Sequence, residues 1–200
     1  MFAAQRERTD FFNEQAAEWD HTEKYEQDRD RLYRLIPSLP IGEGDRVLDA
    51  GTGTGIALGP LRSVVGSEGI VIGVDLATAM LRKAKQEHHA VVRADCHHLP
   101  FRSGWVDCVF AFAVIPHLDI LPAFFREAAS LLRPGGELII LHLMPRRSIN
   151  DFHRKAGSAV ETDFLPSAEG LAGLGQAVGI SRTLFTEKDD LFLWIGERSE

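Results

Sequence analysis

Along this chain, apolar and polar residues follow two different periods, and the switches between them mark its elements. Phe11, Phe12, Gln15, Ala16 and Trp19 recur at helical spacing and predict an amphipathic helix. Residues 1–10 before them are polar and charged and read as a frayed start. A second helical stretch carries Tyr25, Leu32, Leu35 and Ile36, and Pro37 and Pro40 stop it. From there strand and helix patterns take turns. Strands are expected over 46–49, 69–75, 90–95, 107–114 and 137–144. Helices are expected over 56–65, 77–87 and 120–132, the last closed by Pro134-Gly135-Gly136. Residues 96–105 hold Pro100 and Gly104 and are too broken for a full helix. Residues 107–114 are apolar almost throughout, as in a strand covered on both faces.

Strands alternating with helices predict a mostly parallel sheet with right-handed crossovers. The end of the chain departs from that rule. Residues 180–187 and 191–197 both read as strands, and only Lys188-Asp189-Asp190 separates them. So short a link forces an antiparallel hairpin. One or two helices are expected in 145–179. Without internal repeats, low-complexity tracts or a visible boundary, residues 1–200 read as one α/β domain. Residues 1–40 would be its helical cover, and 145–179 a helical insertion before the hairpin.

Composition changes this picture little. A chain of 200 residues with 44% hydrophobic and 26% charged residues is ordinary for a soluble domain. The net charge of −7 argues against a sequence-independent grip on nucleic acid, which relies on Lys and Arg to neutralise phosphates. Neither a long apolar run nor a basic-then-apolar start is present, so no membrane span and no signal peptide are expected, and the cytoplasm is the expected compartment. Cys96 and Cys108 lack a C-x-x-C spacing and read as two buried, reduced thiols.

The chemistry gathers at the strand ends, where open parallel sheets bind their ligands. Val47-Leu48-Asp49 runs into Ala50-Gly51-Thr52-Gly53-Thr54-Gly55 and then into a helix. Alternating glycines let the backbone approach a ligand, and the helix start offers free N–H groups. The dinucleotide pattern G-x-G-x-x-G would need a glycine where Ile56 stands, which disfavours an NAD-dependent oxidoreductase. The second strand ends in Asp75 and the third in Asp95, followed by Cys96. Each acid alone could cap a helix or sit in a solvated turn. Three of them on successive strand ends beside a glycine loop point to one shared polar ligand, since unpaired buried acids are costly. Asp75 follows the glycines by about 20 residues, where an acid can accept bonds from a ribose diol.

In order, Asp49-Ala50-Gly51-Thr52-Gly53-Thr54-Gly55, Val74-Asp75, Ala94-Asp95 and Leu132-Arg133-Pro134-Gly135-Gly136 resemble the motifs of class I S-adenosylmethionine-dependent methyltransferases. The similarity is to small-molecule members of the ubiquinone/menaquinone-biosynthesis type. It implies a Rossmann-like, doubly wound seven-stranded sheet in order 3-2-1-4-5-7-6, in line with the hairpin. It also implies transfer of a methyl group from S-adenosylmethionine to a small-molecule acceptor, in solution and away from nucleic acid. A domain that binds the cofactor without transferring the methyl group is the rival reading. On this resemblance Gly51, Thr52 and Gly53 would pass the methionine part, with Asp49 near its ammonium. Asp75 and Leu76 would hold the ribose, Asp95 the adenine amino group, and Cys96 the base through its backbone. Ala111 and Phe112 would border the cofactor at the fourth strand. Many relatives carry paired histidines after that strand, whereas this chain has Pro116-His117. The Asn/Asp-Pro-Pro-Tyr/Phe signature of methylases acting on DNA bases or protein glutamine is absent, Phe112-Ala113-Val114-Ile115 standing in its region.

A base is required only if the methyl acceptor must lose a proton, and by location His117 and His142 are its candidates. Each also reads as a packed histidine at a strand end or within a strand. His142 and His153 fall on different expected elements, so no metal-ligand spacing supports zinc. Trp19 and Tyr25 read as packing residues of the cover. Acceptor specificity is expected in 11–25 and 145–179, where Arg146, Arg147 and His153 could meet an anion or merely be solvated.

Overall fold

The central strands are apolar on both faces because the sheet is covered on both. In the computed structural model, which describes residues 3–86, 90–156 and 158–199, successive side chains of the central strands enter two different cores. Val47, Cys108, Phe110, Ile139, Leu141, Leu193 and Ile195 join Leu32, Leu58, Leu61 and Val65 on one face. Leu48, Val109, Ala111, Leu138, Ile140, Phe192 and Trp194 join Phe124, Phe125, Ala128 and Leu171 on the other. The period-2 pleat performs this sorting.

The elements run α1 (Ala3–Gln15), α2 (Glu23–Leu35), β1 (Arg46–Ala50), α3 (Leu58–Val65), β2 (Ile70–Asp75), α4 (Thr78–Gln86) and β3 (Val91–Arg93). They continue through β4 (Val106–Phe112), α5 (Leu121–Leu131), β5 (Leu132–His142), α6 (Arg146–Ala156), α7 (Ala168–Gln176), β6 (Ile180–Lys188) and β7 (Leu191–Arg198). The seven strands lie in the order β3-β2-β1-β4-β5-β7-β6. The first five are parallel neighbours; β7 runs antiparallel to both β5 and β6. The sheet order and terminal hairpin expected from the sequence are therefore present. The strand order reverses between β1 and β4, and the crevice beyond their carboxyl ends is where a ligand belongs.

Several boundaries move, for local reasons. The expected frayed start is instead the body of α1, which begins at Ala3 and is held down by long-range side-chain bonds described below. Helix α3 starts at Leu58 rather than Ile56, because Gly51–Ala57 is spent on turns (Gly55 N–H to Thr52 O, 2.9 Å). Strand β5 begins at Leu132, which pairs with Val106 across a register shift before the ladder resumes at Glu137. The segment 145–179 holds α6, α7 and a short 3-10 turn (Ser158–Val160). The expected end of the 77–87 helix at Glu87 lies outside the described residues. Cys96 and Cys108 are both buried and free. None of the helices described is long and apolar enough to cross a membrane.

Candidate active site

The loop after β1 takes its shape from its glycines. Gly51 has φ +72, and a Cβ there would lie 2.1 Å from Val114 Cγ2, so the loop can pack on the end of β4 only without one. Gly53 has φ +56 and faces open space, with nothing within 4 Å of where its Cβ would be. Its absent side chain leaves a backbone shelf that a ligand can approach. Ala113, just past β4, is the one non-glycine residue with positive φ among those described (φ 53). Backbone strain of this kind concentrates where a site needs a particular geometry.

Around that shelf the three strand-end acids converge, each held differently. Asp49 is buried and accepts from Thr52 Oγ1 at 2.6 Å. Burial pushes its carboxyl up to about 7, with the nearby Asp75 charge adding to the rise and the Thr52 bond opposing it. Asp75 accepts from the backbone N–H of Gly53 (2.9 Å) and of Ala77 (2.8 Å), so one carboxylate pins the glycine loop to the start of α4. Burial raises its pKa too, against the pull of those amides. Asp95 takes the backbone N–H of His97 (2.9 Å), the His97 ring Nδ1 (2.6 Å) and the Gln5 side-chain amide (2.6 Å). Burial pushes its carboxyl up, but these bonds outweigh it and hold Asp95 below the usual range.

These groups line one crevice that opens to solvent, with about 1020 Å³ of empty space counted out to its mouth. Of the residues singled out from the sequence, it brings together Asp49, Gly51, Thr52, Gly53, Asp75, Leu76, Asp95, Cys96, Phe112 and His117. Ala111 is fully buried behind this wall. His142 is buried beside Phe192 and does not line the crevice. Its Nε2 has no hydrogen-bond partner, and burial, then the neighbouring His117 and His153, push its pKa down to about 3. The Cys96 thiol is pushed up by burial and by the surrounding carboxylates, so it stays protonated. Among the described residues no group of three or more His, Cys, Asp and Glu could hold a metal ion.

Helix α1 forms the opposite wall with Gln5, Arg8, Thr9 and Phe12, and Trp19 lies beside it, its ring 5.7 Å from that of Phe12. Tyr25 does not line the crevice; its hydroxyl accepts from Thr54 Oγ1 at 3.1 Å. Arg146 and Arg147 stay at the outer surface of α6, with the Arg147 side chain 92% exposed and 4.0 Å from Asp151. His153 is the exception in that segment: it is buried, 5.0 Å from the His117 ring. Sequence reasoning did not single out Gln5, Arg8, His97, Asp119 or Asp163. Of these only His97, two residues after Asp95, left a local signal.

Comparison with known proteins agrees with this geometry. Residues 48–140 match the family described as a methyltransferase domain. That stretch is therefore similar to a methyltransferase domain. It runs from the glycine loop to β5 and so contains Asp49, Asp75, Asp95 and His117. Demethylmenaquinone methyltransferase of Tropheryma whipplei is 28% identical over 151 residues, covering 72% of this chain and 62% of that protein. Ubiquinone/menaquinone biosynthesis C-methyltransferase of Pseudomonas putida is 31% identical over 139 residues, 64% of this chain and 52% of that protein. The chain thus spans less than two thirds of either relative. A SAM-dependent methyltransferase from Thermotoga maritima superposes with a TM-score of 0.77 at 20% identity, over 96% of this chain and 100% of that one. That likeness concerns the fold. The resemblance drawn from the motifs, with S-adenosylmethionine as the cofactor it implied, is borne out by the domain match and these relatives.

Proposed function

We propose that this chain transfers a methyl group from S-adenosylmethionine to a small, largely apolar acceptor. The observation that carries the reading is the convergence of Asp49, Asp75 and Asp95 around a glycine shelf open at Gly53. The charge fits a sulfonium cofactor. Asp49, Asp75, Asp95 and Asp119 line the crevice, whose one Arg or Lys is Arg8, itself bound to carboxylates. Gly51, Thr52 and Gly53 would hold the methionine part, Asp49 its ammonium, Asp75 and Leu76 the ribose, Asp95 with the Cys96 backbone the adenine. Phe112 would border it, with Ala111 as backing.

When bound, S-adenosylmethionine supplies an activated methyl group, which an acceptor nucleophile takes by in-line displacement. The protein's part is mainly positioning, because holding two reactants in line removes much of the barrier. Phe12, Trp19, Met80, Val114 and Leu118 give the crevice its apolar wall and exclude water. His117 would take a proton from the acceptor, because it lines the crevice where His142 does not. The small-molecule scope follows the two curated relatives, named for demethylmenaquinone and for ubiquinone/menaquinone biosynthesis.

The test is calorimetric titration of S-adenosylmethionine into the protein and into Asp75→Asn, which keeps the shape of the side chain. Loss of a charge-assisted acceptor should weaken binding roughly ten- to hundredfold. Absence of binding to the parent protein, or equal affinity in the variant, would remove the reading.

A further inference from the structure

His117 does not stand alone in the crevice wall. Its Nδ1 makes a close hydrogen bond to Asp163 Oδ2, and the Asp163 side chain is 1% exposed. A carboxylate can only accept, so Nδ1 must carry the proton and the lone pair is left on Nε2. On its other side Asp163 takes a fork from Arg8 of α1: Nη2 to Oδ1 at 2.6 Å, Nε to Oδ1 at 3.1 Å and to Oδ2 at 3.2 Å. Arg8 Nη1 also bonds Asp119, two residues past His117. The ring is further fixed by edge-to-face contacts with Phe12 and His153, both at 5.0 Å.

We infer that Asp163 is the positioning residue that makes His117 a general base, and that Arg8 locks Asp163 in place when α1 lies on the crevice. This rests on the methyltransferase reading and adds to it the class of acceptor, one whose nucleophilic atom carries a proton, as a hydroxyl or an acidic carbon does. A base fixed in the Nδ1–H tautomer serves a nucleophile that must lose a proton as it attacks, and is not needed by one that carries none, such as a thioether. The groups around His117 support the assignment. Asp163 and Asp119 share the single positive charge of Arg8, buried His142 and His153 offer no negative charge, and Asp75, which interacts with His117 through space, is itself engaged by backbone amides. Burial pushes the Asp163 carboxyl up, yet the bonds from His117 and Arg8 outweigh it and keep it below the usual range, so it is an acceptor at neutral pH.

The pair as a mere helix anchor makes a different forecast from the pair as a base. Nitrogen-15 NMR of the 200-residue chain, without acceptor, should show His117 with its proton on Nδ1. Its Nε2 should react with diethylpyrocarbonate, followed by mass spectrometry. In Asp163→Asn the tautomer preference should be lost and acylation of His117 slow roughly tenfold. Asp163→Glu should restore much of both, while Arg8→Gln should give an intermediate result that Arg8→Lys only partly repairs. S-adenosylmethionine affinity should stay unchanged in Asp163→Asn, which separates this inference from the cofactor reading. An Nε2–H tautomer in the parent protein overturns the proposal even if every variant misfolds. So does equal acylation of His117 in the parent and a folded Asp163→Asn. Failure of the parent to bind cofactor would instead sink the methyltransferase reading and leave the tautomer result standing.

Discussion

Asp49 should make cofactor binding pH-dependent, with a sign and size that follow from its burial. Its folded pKa of about 7 lies above the ordinary 3.8 because the charged form is desolvated. The gap of roughly three units corresponds to about 4 kcal/mol against ionising Asp49 in the folded chain. A cationic ammonium bound beside it requires the ionised form. Below pH 7, acid must therefore weaken S-adenosylmethionine binding, by up to about tenfold per unit well below the pKa and roughly fifteenfold between pH 7 and 5.5. Stability runs the other way. Between about pH 4 and 7 the native state keeps a proton on Asp49 that the unfolded chain has released, so Asp49 makes the fold less stable as pH rises through that window. Calorimetric affinity and urea midpoints, measured from pH 5.5 to 7, read the two trends separately. Asp49→Asn should flatten the affinity profile apart from the share of Asp75, which burial also raises, and should remove part of the loss of stability. The difference between parent and variant matters, because Glu137, also pushed up to about 7 by burial and by Glu197, tilts stability in the same direction. A flat affinity profile in the parent protein would refute the placement of Asp49 against a cation.

Two further variants test the shelf and the core. Gly53→Val places a branched side chain at φ +56 in open crevice space, so the apo protein should lose about 1–2 kcal/mol while cofactor binding disappears. Normal affinity in that variant would mean that no ligand crosses the shelf. Phe110→Ala should cost about 3–5 kcal/mol in urea unfolding, because this fully buried β4 ring joins the core under α2 and α3. A loss below about 1.5 kcal/mol would show that the core collapses around the missing ring.

What the sequence made legible is what is repeated locally. Apolar runs at 107–114 and 137–144 needed cover on two faces, and the loop of Lys188-Asp189-Asp190 allowed only an antiparallel return. Glycines and acids at strand ends could be placed because a strand end is fixed by its own few residues. The element boundaries that moved depended on partners elsewhere. Leu132 joins β5 because Val106 lies opposite it, and residues 3–10 are helical although they show little apolar stripe of their own. Among residues 5–10 only Thr9 is well buried, so polar ties hold that part of α1, while the later Phe12 adds an apolar contact with Ala77 and Met80.

Those ties explain why the strand-end side of the crevice could be read from the sequence and the α1 side could not. Asp49, Asp75 and Asp95 each sit a few residues from a donor they bind: the Thr52 hydroxyl for the first, the Ala77 N–H for the second, the His97 N–H for the third. Arg8 and Asp163, by contrast, meet across 155 positions of sequence, and Gln5 reaches Asp95 across 90. No periodicity links residues so far apart, and each alone looks like an ordinary solvated side chain. Their meeting also changes what α1 is for. A helix held by Gln5 on Asp95 and by Arg8 on Asp163 would, on the proposed assignment, touch the cofactor end and the transfer end of the crevice at once. Gln5 donates to Asp95 just where the adenine amino group would donate, so a bound cofactor and Gln5 compete for one oxygen or share the carboxylate. Arg8 keeps its two acids in either case. On that assignment a ligand at Asp95 would displace the Gln5 bond and leave the Arg8 fork and the His117–Asp163 pair intact.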